Sequence, residues 1–459
     1  MQMNRITFSL LLLSAVVSGC QESGGNGPVK IPGSGSSSGE EVGSPLSAWT
    51  EGEMDIHFIN TTTGECTFLI LPDGTQMLID VAGNIVSTGK VGSTTNTGIR
   101  SRWDPSADPS FRPGKFIAEY IGKCMEWTSN KTLDYLLITH FHNDHFGDTE
   151  KMPVSSLSSS YVLQSTAEIL DTYPVGLFMD RGYPDYDYPY NVQTGASNAA
   201  NVKNYVTAVK WHVANRGLKA EMFRPGSADQ IHLKRDPSSY PGFSVRNIAV
   251  NGEIWDGASG TEKTFPDRSE IDITRQADYQ NSSNCPEENH CSCVLKLSYG
   301  KFDFFAGGDA QYDGMSSKTW KDMETPVAIR AGVVDVMKAD HHGVTNTNGH
   351  GFTSSATGKK AEAMKYLQPT CWVVCGWTDG HPRKAVFEGV STLLPATDIY
   401  ITNTCQEMTQ YKNFVQVKGS DGHIVVRVAK GGDTYRIYTL SDSDGKMTVK
   451  KVSKEYKSK

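Results

Sequence analysis

The chain has 459 residues, 38% of them hydrophobic and 21% charged, a composition that excludes collagen-like, coiled-coil and wholly disordered architectures. Lys+Arg total 44 against 51 for Asp+Glu, a formal net charge of -7. Such a chain lacks the electrostatic footprint for gripping long nucleic acid, which leaves a short phosphodiester at a metal still open. No apolar run reaches the ~18 residues of a membrane-spanning helix.

Arg5 precedes an apolar stretch from Ile6 to Val17 and then small residues, the pattern of a secretory signal over residues 1–19. Val17-Ser18-Gly19-Cys20 resembles the bacterial lipobox. That resemblance implies a lipid on Cys20 and an exported protein anchored in the bacterial envelope, on its periplasmic or cell-surface face. Residues 20–50 are Gly/Ser-rich and read as a flexible tether. Eight cysteines follow Cys20, with no C-x-x-C pair, so disulfides or buried thiols are expected rather than a zinc–thiolate cluster.

From Met54 the pattern is strand-like, with Pro72-Asp73-Gly74 as a hairpin turn. Apolar residues at helical spacing predict a helix over 115–127, and Leu133–Thr139 reads as a compact buried strand. Residues 155–285 carry a Tyr/Pro/Asp cluster, a helical stretch near 198–216 and a strand at 243–250, and read as a large insertion shaping one side of a site. Regular strands return at 293–305, 333–339, 371–376 and 398–402, and short ones follow over 413–440. Strands and helices spread along the whole chain predict α/β layers.

His140-Phe141-His142-Asn143-Asp144-His145 follows the buried strand directly. A solvated loop gains nothing from that density of imidazole and carboxylate, whereas these donors suit borderline divalent ions, and one tight loop can serve two of them. Two later segments carry further candidates: Asp309 after Phe304-Phe305-Ala306-Gly307-Gly308, and His341-His342-Gly343 after a strand.

An H-x-H-x-D-H loop after a strand resembles the metallo-β-lactamase superfamily over roughly residues 53–440. Thr63-Gly64-Glu65-Cys66, Leu78-Ile79-Asp80 and Gly83 look like that family's first hairpin, whose Asp supports the metal loop. Asp309 matches its bridging carboxylate, and His342 its last ligand, with His341 as a substrate- or proton-handling group; the two histidines are exchangeable on sequence. The nearest look is to the metallo-hydrolase domain of bacterial DNA-uptake channel proteins. It rests on Asn289, Ser292, Val294 and Leu295, on Lys338 three residues before His341-His342-Gly343, and on His381-Pro382 after a strand. Phosphorylcholine esterases of teichoic acid have a stretch similar to His341, His342, Thr345 and Asn346. His290, 19 residues before Asp309, stands equally as a third ligand or as a histidine that supports the ligands or lies at the surface. His57, His212, His232, His350 and His423 have no motif around them and are expected at the surface.

The resemblance implies an αββα sandwich over 51–445 with the insertion at 155–285, and a basic tail at 446–459. It implies two divalent ions, zinc or else manganese, with His140, His142 and His290 on one, Asp144, His145 and His342 on the other, and Asp309 bridging. Asp80, Asn289 and Ser292 support these ligands, while Asp144, Lys338, His341 and His381 act on substrate or protons. The implied reaction is hydrolysis of a phosphodiester in a small or short substrate by a metal-bound hydroxide. The alternatives are a lactam or acyl-ester hydrolase and a non-catalytic surface lipoprotein. The membrane enters through the lipid, no protein partner is implied, and oligomeric state is not readable.

Overall fold

Successive strand residues face opposite sides of a sheet, so a continuous apolar run needs cover on both faces. Such runs build two mixed sheets in the computed structural model, which describes residues 41–61, 63–82, 111–271, 285–312, 318–344, 347–348, 362–376 and 381–459. The signal, Cys20 and the tether to residue 40 lie outside the described residues, as do Gly83, Thr345, Asn346 and His350.

The first sheet takes β1 (Met54–Phe58), β2 (Thr67–Ile70), β3 (Gln76–Ile79), β4 (Leu133–Leu137), β5 (Val175–Asp180) and β6 (Ala220–Met222). The second takes β7 (Phe243–Val250), β8 (Glu253–Trp255), β9 (Thr261–Lys263), β10 (Val294–Tyr299), β11 (Phe302–Ala306), β12 (Val336–Lys338), β13 (Cys371–Val374), β14 (Asp398–Ile401) and β15 (Val417–Ser420). β16 (His423–Val428), β17 (Thr434–Leu440), β18 (Val449–Val452) and β19 (Tyr456–Lys457) return to the first. The strand orders are β18-β17-β16-β1-β2-β3-β4-β5-β6, with β19 beside β17, and β15-β14-β13-β12-β11-β10-β7-β8-β9. Antiparallel pairs give way to parallel runs from β3 to β6 and from β11 to β15.

The described helices are α1 (Pro113–Thr128), α2 (Asn143–Phe146), α3 (Ser165–Thr172), α4 (Val192–Gly195), α5 (Ala199–Arg216), α6 (Glu324–Ala331), α7 (Ala363–Leu367) and α8 (Lys384–Leu393). One core joins Ile56, Met77 and Leu137 of the first sheet to Leu295, Phe304 and Val336 of the second. Phe68, Leu78 and Leu136 pack instead with Ile117 of α1, Ile169 of α3 and Val206 of α5. Phe305, Met337 and Trp372 pack with Val327 of α6, Leu367 of α7 and Phe387 of α8. The neighbours Leu136/Leu137 and Val336/Met337 therefore enter different cores, as a period of two requires. The mixed α/β class expected from the sequence is present.

Three segments differ from expectation. The end of the 20–50 tether belongs to the fold: Leu46 and Trp49 are buried, and the Leu46 N–H donates to Met447 O at 3.0 Å. Residues 155–285 are not a separable insertion, because they supply β5 and β6 to one sheet and β7 to β9 to the other. The tail at 446–459 is likewise integral, since β18 and β19 pair with β17 and the buried Tyr456 hydroxyl donates to Asp398 Oδ2 at 2.8 Å. The eight cysteines after Cys20 are buried free thiols, so no disulfide forms among the described residues.

Candidate metal centre

Parallel strands deliver their carboxyl ends to one edge, where open α/β sheets place their ligands. Asp80 follows β3, the His140–His145 loop follows β4, Asp309 follows β11 and His341-His342 follow β12. Glu65 comes from the turn before β2. Gly64 (φ +92°) permits this, since a Cβ there would lie 2.2 Å from the Asp144 carbonyl oxygen. The close approach lets the Glu65 N–H donate to Asp144 O at 3.0 Å.

Two sets of metal-ligand atoms meet at Asp309, one from His140, His142 and Asp309 and the other from Glu65, His145, Asp309 and His342, each set within 4.8 Å. His140 Nε2 lies 3.1 Å from His142 Nδ1 and 3.8 Å from Asp309 Oδ2. His342 Nε2 lies 3.7 Å from Asp309 Oδ2. Asp144 stands at the rim, 14% exposed, with Oδ2 3.2 Å from His342 Nε2 and 3.6 Å from His145 Nε2.

Surrounding groups fix which ring nitrogen faces inward. Asp80 Oδ2 accepts from His145 Nδ1 at 2.8 Å, and the Cys375 carbonyl lies 3.2 Å from His342 Nδ1, so both Nε2 atoms are left for the centre. Asp80 also accepts from the backbone N–H and the hydroxyl of Thr139, each at 2.7 Å. The Asp309 N–H donates to Ser292 Oγ at 3.1 Å. The loop itself is pinned by Glu288, which accepts from the Phe141 N–H at 2.7 Å while it is paired with Arg181 at 2.5 Å.

His145 Nε2 and both carboxylate oxygens of Asp309 are buried without a hydrogen-bond partner, although His145 Nε2 lies 3.1 Å from Asp309 Oδ2. Burying such groups unsatisfied costs about 1–3 kcal/mol each, more when charged. A cation held among these donors would satisfy them, so the residues present fit a divalent metal ion.

Charge within the site is polarised. Burial pushes the Asp309 carboxyl up, but His145, His342 and His341 hold it well below the usual range. Burial likewise pushes Asp144 up, but His145 and His342 outweigh it and hold that carboxyl well below the usual range. Burial and the neighbouring His145 push His140 well below the usual imidazole value, which leaves it in the neutral form that ligates.

His341 (φ 46°) and His342 (φ 53°) both occupy the left-handed region, which costs about 1–2 kcal/mol for a residue with a Cβ. The two rings are separated in role by position. His342 is buried among the ligand atoms. His341 is 23% exposed, 3.7 Å from Asp309 Oδ2, and Asn289 Nδ2 lies 3.3 Å from its Nε2. His381 is buried at the same end, its ring 6.4 Å from that of His342.

No protein-family model matches the chain, and no curated protein matches it either.

Of the alternatives open for His290, the structure favours the one away from the metal, because it lies in neither ligand set. Its Nδ1 accepts from the Glu287 N–H at 3.2 Å, capping a short helical turn, and its Nε2 faces Lys321 O at 3.2 Å. One expectation about the site fails. Lys338 faces no substrate. It is fully buried, donates to Glu65 and to Gly308 O at 2.5 Å each, and stands 3.8 Å from Asp309 Oδ1. The expectation of surface histidines fails for His57, His212 and His423, which are buried and bonded to Tyr120, Asp171 and the Asn60 N–H respectively.

Sequence reasoning missed Glu65 and the buried pair Glu324 and Asp340 behind the last ligand. Burial, with Asp309 and Glu65 nearby, pushes the Asp340 carboxyl up to about 8 against Lys338 and a hydrogen bond with Glu324. The signal for Glu65 was present, since it stands in the hairpin motif beside Gly64, but only the fold shows its partner Lys338.

Proposed function

We propose that the chain is an exported, dinuclear metal-dependent hydrolase of the metallo-β-lactamase superfamily, with its two sheets and outer helices as that family's αββα sandwich. The reading is carried by one observation: two ligand sets share Asp309, whose carboxylate oxygens have no protein hydrogen-bond partner. Two divalent ions held there, zinc or manganese, would polarise a scissile phosphoryl group and make water nucleophilic at neutral pH.

The chain's own residues do the rest. Asp80 and the Cys375 carbonyl orient His145 and His342. Ser292 and the Lys338–Glu65 pair hold the strand end that carries Asp309. Asp144, at the rim, accepts a proton at Oδ2, and His341, partly open to solvent and held by Asn289, takes up or releases one at the mouth. His381 lines the same end and meets the leaving group.

The placement of His290 away from the centre favours a phosphodiester over a lactam, because the first ligand set then draws on two histidines rather than three. The test is turnover of bis-nitrophenyl phosphate and short single-stranded DNA beside a chromogenic lactam. Phosphodiester cleavage that disappears in Asp309→Ala supports the reading, and rapid lactam turnover alone contradicts it. Anchoring through Cys20 completes the proposal: Cys20→Ala should leave the membrane pellet on fractionation, and unchanged pelleting contradicts it.

A further inference from the structure

A cleft of 1030 Å³ is lined by β6 and the loops after β5 and β6, the β7–β8 turn and the loop after β9. β5 and β6 run parallel to β4, so their carboxyl ends share the edge that carries the His140–His145 loop. The wall is tied to that loop through Arg181, which lines the cleft and pairs with Glu288, the acceptor of the Phe141 N–H. No metal-site residue lines it. Its volume matches the top of the ~300–1,000 Å³ range of ligand pockets, room for an oligomer rather than a single small group.

The lining chemistry selects among ligands. Its arginines are already engaged: Arg181 with Glu288 at 2.5 Å, Arg268 with Asp187 at 3.1 Å, and Arg224 with Asp229 at 3.6 Å. The carboxylates Asp185, Glu221, Glu253 and Asp267 form no ion pair among the described residues, and Lys263 is the one lining cation outside the pairs. Glu221 accepts from Gln230 at 3.1 Å and Glu253 accepts from Thr261, contacts that hold them without neutralising them. An excess of acidic acceptors repels a polyanion and suits a ligand rich in O–H donors. Tyr183 and Tyr188, both partly exposed, add flat apolar faces against which the C–H side of a sugar ring packs.

We propose that this cleft binds a neutral, polyhydroxylated glycan chain, a site separate from the metal centre and beyond the hydrolase reading. The experiment is calorimetric titration of the full chain with neutral glucose and N-acetylglucosamine oligosaccharides, with spermidine and a short oligothymidylate as comparison ligands. Metal content is measured in parallel, so that a fault at the metal centre is told apart from one in the cleft. Saturable binding of an oligosaccharide, weakened at least ~10-fold by both Tyr188→Ala and Asp267→Asn, is the expected result. Both side chains reach solvent, and circular dichroism checks that the variants fold. Silence with every oligosaccharide, tighter binding of spermidine or oligothymidylate, or affinity unmoved by the two substitutions would overturn the proposal.

Discussion

Lys338 Nζ lies 2.5 Å from Glu65 Oε2, across 273 residues of chain, and both side chains are fully shielded from solvent. The attraction between them acts unequally: burial outweighs Lys338 and raises the Glu65 carboxyl, whereas Glu65 outweighs burial and holds the Lys338 ammonium charged. The pair joins the turn before β2 to the end of β12, and so fixes one sheet against the other at the metal edge.

Removing one partner leaves a buried charge alone. Lys338→Met is expected to cost about 3–5 kcal/mol in urea unfolding, and the double variant with Glu65→Gln should cost less than that. A single variant within about 0.5 kcal/mol of the parent would mean the pair does not hold the sheets together.

Asp80 tests orientation at the centre. Its carboxylate fixes His145 Nδ1 at 2.8 Å and touches no proposed metal position directly. Asp80→Asn should weaken metal affinity by about 10–100-fold in competition with a chromogenic chelator, with folding retained. Affinity equal to the parent's would remove Asp80 from the account.

His290 gives the opposite case. Its ring caps a short helical turn and faces Lys321 O, so His290→Ala should cost about 1 kcal/mol of stability with metal content unchanged. Loss of one ion per chain in that variant would restore it as a ligand.

Asp55 of β1 pairs with Arg427 of β16, its register partner, at 2.6 Å. Burial raises the Asp55 carboxyl, but Arg427 and His57 outweigh it and lower it from 3.8 to about 2. A group depressed in the folded state stabilises above its unfolded value, and that stability is lost as pH falls through the folded one. The stability gap between the parent and Asp55→Asn should therefore be constant above pH ~4 and shrink toward pH ~2. A gap that is flat across that window would contradict the assignment.

The candidate metal loop is legible because its imidazoles and carboxylate lie within six residues at the end of one apolar strand. Asp309 and His342 were legible because they too follow strands, where parallel topology gathers side chains. Glu65 was not, because a lone Glu in a turn shows nothing of a partner at residue 338. His290 misled through spacing: the right separation from Asp309 is undone by a helical turn that points its ring at Lys321. His57 and His423 carry no local motif, yet α1 covers both, with Tyr120 against each ring. The strands of 155–285 were obscured by Tyr-, Pro- and Asp-rich loops between them, and the tail by lysines that alternate with the buried Val449 and Tyr456.

Elemental analysis of protein purified without chelator tests the proposed two-ion centre at Asp309 most directly. About two divalent transition-metal ions per chain are expected, with loss of most of both in Asp309→Ala, because one carboxylate would serve both positions. Protein that contains no such metal, or an Asp309→Ala variant that keeps the full complement, would contradict it.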